Sequence, residues 1–517
     1  GMSGALKEPA VAEDLAPGLE QLFSFVPEER SYEVREVRGT LPRWLRGTCY
    51  WNGPGRFRRG DLRYRHWLDG DGMVTALRFD GDGRGVHLAN RFVRSAKWTA
   101  EEEAGRALFR TFGTRFAGDR LVRGIALESP VNVSVIPFAG KLFACGEQGL
   151  PWELDPVTLE TRGPFTFGGA LNPVSPFAAH AKLDPASGEL YNFGLSYARE
   201  RPSLHLYRFD AGGNLLARRR VPLGRPVSMH DFCLAPRHAV FHAGPYHLDL
   251  QALMAGGSTL LEALRWEPEA GSELLIVPRH PHHGSRPAAG GADPDADVVR
   301  VPVERGYCLH GIGAGEDEAG RLVVDLLELD RPVYDQYLDL PDMFPTVGPG
   351  RPVRLVVDLE RRQVVERLQL GYELAPDFPV TVPRPGAGPA GDAWMLGISA
   401  AGRQGRKFYD QLVHCDWRRG AGQAPAVWQA PSGQYLTGEP ALAAHPAPGM
   451  ERDVVLVCPL FDATRGESRY LIFNALDVES GPCAEVRLEA PLPTAFHAAF
   501  APLAPGEPRD PPPLDPY

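Results

Sequence analysis

Short apolar runs separated by turn residues, rather than long runs of helical period, dominate this chain, and that pattern predicts a many-stranded protein. The punctuation comes from 57 glycines and 50 prolines. One unit recurs: a strand, an acidic turn and a second strand, as in "PWELDPVTLETRG", "LYRFDAGGNLLARR", "LVVDLERRQVVERL" and "FNALDVESGPCAEVRL". Their turn aspartates are Asp155, Asp210, Asp358 and Asp477, and "LVHCDWRRGAGQAPAVW" supplies a fifth at Asp416. Hairpins repeating at such intervals, with loops inserted between them, predict the blades of a β-propeller, since a sandwich needs fewer copies. Helical spacing is scarce. Its best instance covers 247–266, where Leu248, Leu250, Leu253, Met254, Leu260, Leu261 and Leu264 can share one apolar face, broken by Gly256 and Gly257. Core packing is the expected use of that face, with peripheral contact to a membrane surface as the minority reading. Two polar stretches, 284–297 and 501–517, predict a loop and a tail.

Composition narrows the class. A chain of 517 residues, 43% hydrophobic and 23% charged, has enough apolar material for a large core, and its net charge of −10 argues against nucleic acid as a partner. Runs of 18 apolar residues are absent from the sequence, and "GMSGALKEPAVAEDLAPG" has neither a basic stretch nor an apolar one, so a cytoplasmic protein is expected. Seven scattered cysteines without a C-x-x-C pair predict reduced, mostly buried thiols.

The chemistry lies in the histidines. The densest group, His280, His282 and His283 in "PRHPHHGSRP", sits among prolines and glycines that give no rigid frame, and no metal site is expected there. Four isolated histidines are more informative: His180 in "AAHAKLDPASGELY", His230 in "SMHDFCL", His310 in "YCLHGIGAGED" and His497 in "APLPTAFHAAF". Each stands at a strand edge in a different predicted blade. Their spacing matches no local motif, but a propeller brings the inner ends of all blades to one axis.

Several segments, from "LPRWLRGTCYWNGPGRF" and "HWLDGDGMVTALRFDG" through "FACGEQGLPWELDPVTLET", "AHAKLDPASGELY", "MHDFCL" and "TGEPALAAHP" to "LPTAFHAAF", resemble the carotenoid cleavage oxygenases. That family of non-haem iron proteins includes apocarotenoid and stilbene dioxygenases and a retinoid isomerase. The resemblance implies an all-β fold, a seven-bladed propeller with long loops and short helices capping one face. It implies an N-terminal arm over 1–30, a single oxygenase domain over 31–500 and a C-terminal tail over 501–517. It implies Fe(2+) on the axis, held by His180, His230, His310 and His497. Neutral imidazoles leave the ion its full charge and, in octahedral geometry, two open positions. Carboxylates are then expected at the far ring nitrogens: Glu147 for His230, Asp377 in preference to Glu373 for His310, and Glu439 for His497, with no direct carboxylate for His180.

The implied activity is cleavage of a conjugated double bond of an apocarotenoid-like polyene by O2 into two carbonyl products, with no catalytic side chain beyond the metal centre. A phenolic stilbene is the alternative substrate, and a non-catalytic ligand-binding propeller the alternative class. The expected partners are therefore O2 and a small hydrophobic polyene or aromatic alkene. Aromatics such as Phe109, Phe112, Phe116, Trp152, Phe165 and Phe177 can line a substrate tunnel or simply fill the core. Two departures from the family stand out. "HGIGAGED" has Gly313 and Gly315 where an asparagine and a tyrosine are usual, which is expected to widen the floor of the site, and "SPVNVSVI" at 129–136 replaces the usual threonine- and asparagine-rich stretch.

Overall fold

A computed structural model describes residues 13–122, 126–197, 201–281, 294–384 and 386–503. Seven antiparallel sheets form seven blades around one axis. Blade 1 holds strands Arg46–Pro54, Gly72–Asp80 and Val86–Phe92, with Arg30–Glu33 outermost and Ala498–Pro502 innermost. The innermost strands of blades 2 to 6 start at Ser134, Lys182, Cys233, Gly311 and Asp377, and blade 7 begins with Gln434–Leu436 and Ala441–Ala444. First strands of neighbouring blades touch at several of the junctions, which places them on the axis.

The hairpins predicted at Asp155, Asp210, Asp358, Asp416 and Asp477 are the outer strand pairs of blades 2, 3, 5, 6 and 7. Their turns are held by the aspartates themselves: Asp155 Oδ1 accepts from the amides of Val157 and Thr158, and Asp210 Oδ1 from those of Gly212 and Asn214. Blades 1 and 4 were not among the hairpins read from the sequence, although blade 1 has its own acidic turn, with Asp80 and Asp82 at the junction of Gly72–Asp80 and Val86–Phe92. Blade 1 is assembled from both ends of the chain. In blade 4, residues 244–271, which include a separate two-stranded hairpin, come between the second strand and the third, and a long insertion follows Pro278 before Val299.

Apolar side chains fill the wedges between blades. Phe193, Phe232 and Phe241 pack between blades 3 and 4, while Val240, Ile276, Val324 and Leu355 pack between blades 4 and 5. Each large side chain so buried contributes roughly 1.5–3 kcal/mol. Over one face lies a roof in which Trp67 meets Tyr337, Phe408 and Phe496 edge to face. Phe112 belongs to this roof, against His66 and Tyr334, whereas Phe165 and Phe177 pack in the wedge between blades 2 and 3 and Trp152 against that between blades 1 and 2.

Three expectations change. The segment 247–266 is not one helical face: Asp249 caps a short helix at Leu250–Met254 and Thr259 caps a second at Leu260–Ala263, with the glycines between them. Leu261 and Leu264 pack on the core, and Met254 is the large apolar residue of this segment that stays largely exposed, at 68%. At Gly315 the site floor is not widened, because a Cβ there would run into Gly388 and Pro389, which occupy the space. The predicted tail starts too early, since Ala501 and Pro502 are strand residues of blade 1. Among the described residues no helix is long and apolar enough to cross a membrane.

The roof is anchored by buried charge. Lys97, in helix Ala96–Ala104, donates to Asp71 Oδ1 and Glu101 Oε1, both at 2.7 Å, and to the Tyr64 hydroxyl at 2.9 Å. Glu101 Oε2 accepts from the amides of Leu108 and Phe109, so the network ties the following loop to blade 1. Removing one partner of such a group leaves an uncompensated buried charge. Lys97→Met is therefore expected to cost about 3–5 kcal/mol in thermal or denaturant unfolding. Arg65→Ala, which breaks the exposed pair with Asp339, should cost about 0–1 kcal/mol in the same assay.

Candidate metal centre on the propeller axis

All seven blades deliver one polar side chain to the axis. His180, His230 and His310 stand just before the innermost strands of blades 3, 4 and 5, and His497 just before that of blade 1. Asp377 opens the innermost strand of blade 6, Glu439 lies between the two inner segments of blade 7, and Glu147 follows the second strand of blade 2. A residue in this position leaves the sheet ladder at the inner rim, so its side chain turns across the axis. Backbone bonds fix the turn at His497, whose carbonyl accepts from the Asn52 amide while its own amide donates to the Val133 carbonyl.

The four imidazoles converge, with ligand atoms all within 4.8 Å of one another. His180 Nε2 and His230 Nε2 are 2.9 Å apart, and His310 Nε2 is buried without a hydrogen-bond partner. At their other nitrogens, His310 Nδ1 is 2.6 Å from Asp377 Oδ1, His497 Nδ1 is 2.7 Å from Glu439 Oε2, and His230 Nδ1 is 2.7 Å from Glu147 Oε2. Carboxylates at Nδ1 fix the tautomer that leaves Nε2 free to donate its lone pair toward the axis. Among the described residues, His180 has no carboxylate at hydrogen-bond distance.

Charge at the site follows from burial. Burial and the neighbouring His497 and His230 rings push His180 well below the usual histidine range, and burial with the His310 and His230 rings does the same to His497. Burial also works against a charged His230, but the Glu147 carboxylate outweighs it and raises that ring. Burial pushes Glu439 up to about 8. Four imidazoles with ring nitrogens facing inward, three of them backed by carboxylates, are the donor set of a divalent metal ion. Imidazole nitrogens on opposite sides of a shared ion stand about 4.2 Å apart, so the observed spread closes with sub-ångström ring shifts. The four-histidine group can therefore hold a metal ion.

Glu373, the alternative to Asp377, lies away from the axis, exposed beside Arg351 and Gln369. His280 follows the third strand of blade 4, and His282 and His283 lie outside the described residues. Sequence reasoning passed over two residues beside the centre, Lys182 and Asp231, whose only signal was their adjacency to His180 and His230.

Comparison with known proteins agrees with this geometry. The sequence profile of the retinal pigment epithelial membrane protein family matches residues 23–502. The apocarotenoid-15,15'-oxygenase of Synechocystis sp. is 29% identical over 92% of this chain and 94% of its own. A lignostilbene-alpha,beta-dioxygenase isozyme of Sphingomonas paucimobilis is 27% identical over 90% of this chain and 93% of its own. Among solved structures, cobalt-substituted apocarotenoid oxygenase of Synechocystis superposes with a TM-score of 0.82 at 25% identity, covering 95% of this chain and all of that one. With the profile spanning nearly the whole propeller, this chain belongs to the retinal pigment epithelial membrane protein family, that of the carotenoid cleavage oxygenases.

Proposed function

We propose that the protein is an Fe(II)-dependent oxygenase that splits a conjugated carbon–carbon double bond of an apocarotenoid-like polyene. The observation that carries this reading is the convergence of four imidazoles on the axis with carboxylates behind three of them. The relatives that match over most of the chain act on apocarotenoids and lignostilbenes by name, which supports an alkene as substrate. In the overall reaction the double bond breaks and each of its carbons gains one oxygen atom of O2, giving two carbonyl products.

His180, His230, His310 and His497 would hold the iron, and the ion would supply a site for activating dioxygen. The protein's own contribution is placement. Asp377, Glu439 and Glu147 hold three rings in orientation through Nδ1, and Phe378 lies between the roof and the centre. Its ring is 5.7 Å from that of His310 and 5.5 Å from that of His497. An apolar roof keeps water from the reacting carbons and favours a hydrocarbon chain, so the bond presented to the axis is selected by how far the substrate enters.

Three measurements test the reading. Elemental analysis after anaerobic reconstitution should find about one iron per chain, lost in His230→Ala and retained in His205→Ala, whose imidazole pairs with Arg218 on the outer surface of blade 3. Glu147→Gln, Asp377→Asn and Glu439→Gln should each lower iron affinity or turnover about 10- to 100-fold, with Glu373→Gln unchanged; the reverse order of Asp377 and Glu373 would remove Asp377 from the site. Mass spectrometry of products formed from an apocarotenal and from resveratrol under labelled dioxygen should show two labelled carbonyl fragments from the polyene. Faster, selective cleavage of resveratrol would instead assign a stilbene substrate.

A further inference from the structure

Among the described residues the carboxylate beside His180 is Asp231, the residue after His230, and its bonds tie together three segments that carry histidines. Its Oδ1 lies 2.8 Å from Lys182 Nζ and accepts from the Phe232 amide at 2.7 Å. Its Oδ2 accepts from the amide of Gly311, the residue after His310, at 2.9 Å. Lys182 is two residues beyond His180 on an extended segment, so both side chains leave the same face. The Asp231 side chain is 4% exposed, whereas that of Lys182 is 29% exposed. The approach of blade 5 to blade 4 here is close enough that a Cβ on Gly311 would collide with Cys233 Sγ, which is why the residue after His310 has no side chain.

One further contact points at the centre itself. His180 Nδ1 lies 3.8 Å from Asp231 Oδ1, too far for a hydrogen bond but close enough for the charge to act on the ring. Of the four histidines only His180 lacks a carboxylate at its Nδ1, and the oxygen that faces it is the one that Lys182 neutralises.

We propose that Asp231 is a positioning residue of the metal centre: it holds the segments bearing His180, His230 and His310 in mutual register, and Lys182 sets how much of its charge reaches His180. The proposal rests on the metal-centre reading above and deepens it. Asparagine cannot replace Asp231, because its amide nitrogen would be a donor facing the Gly311 or Phe232 amide, itself a donor.

Cobalt(II) is a suitable probe, because its ligand-field spectrum reports ligand geometry without turnover. The test compares cobalt affinity by chelator competition, the ligand-field spectrum and the unfolding midpoint in full-length wild type, Asp231→Asn and Lys182→Met. Asp231→Asn is expected to bind cobalt about 10- to 100-fold more weakly and with an altered spectrum. Lys182→Met is expected to bind cobalt but shift the spectrum, since the carboxylate is then uncompensated beside His180. Wild-type affinity and spectrum in Asp231→Asn would overturn the proposal, even with a lower unfolding midpoint, because the residue would then be holding the fold alone. Should Asp231→Asn not fold, Lys182→Met decides: a shifted spectrum supports the proposal and an unchanged one overturns it. A wild-type protein that takes up no cobalt would sink the metal reading, and this inference with it.

Discussion

Ring closure is the constraint on which this structure depends. Ala498–Pro502 pairs antiparallel with Arg46–Pro54, so the last described strand of the chain supplies the inner edge of the first blade. A sheet left without that strand would present unpaired backbone groups to the axis, where they would have to be desolvated. His497 directly precedes the strand, and closing the ring and completing the histidine set are therefore one event. The pairing joins residues about 450 positions apart, so its entropic cost is met only when the intervening blades have packed their wedges.

A closed ring of seven blades leaves a narrow axis at which most polar groups meet one another rather than water, with Glu147 open to solvent. Four imidazoles, three carboxylates behind them and the Asp231–Lys182 pair share this space. Burying a lone carboxylate is costly, and each of these acids has a basic ring, an amide or an ammonium against it. A similar economy holds under the roof. Arg59 and Lys97 face Asp71 and Glu101 in a site from which water is excluded, and Asp69 accepts from His66, Gly113 and Thr114 to hold the neighbouring loop. Two buried polar knots thus fix the two things an axial site requires, ring orientation below and cover above.

Much of the architecture was legible because hairpin turns are local. An aspartate that accepts hydrogen bonds two to four residues ahead leaves its mark in the sequence whatever the rest of the chain does, and five blades announced themselves this way, four through backbone amides and the fifth through Asp477, which accepts from the Ser480 hydroxyl. Blade 1 has an acidic turn between Gly72–Asp80 and Val86–Phe92, but its innermost strand arrives from the far end of the chain and no local stretch shows that pairing. Helical spacing at 247–266 misled for a related reason: six leucines and a methionine satisfy a helical wheel, but the Gly256–Gly257 break and the caps at Asp249 and Thr259 divide the segment into single turns. At Gly315 the missing side chain suggested a wider floor, and the space is taken by Gly388 and Pro389, more than 70 residues away.

Strand alternation, turn chemistry and the seven quoted motifs were enough to determine the fold class, the four histidines and the three acids as a set of candidates, since each is written in a stretch of a few residues. The resemblance implied which acid serves which ring, but the physical reason for each pairing lies in the tertiary structure. Asp377 rather than Glu373 faces His310 because blade 6 sets its first strand residue toward the axis and turns the preceding loop outward to Arg351. Asp231 became visible for the same reason. Its partners at 182, 232 and 311 belong to three blades, and distances between blades are set by how the sheets pack around the axis, a property of the closed ring that no single segment contains.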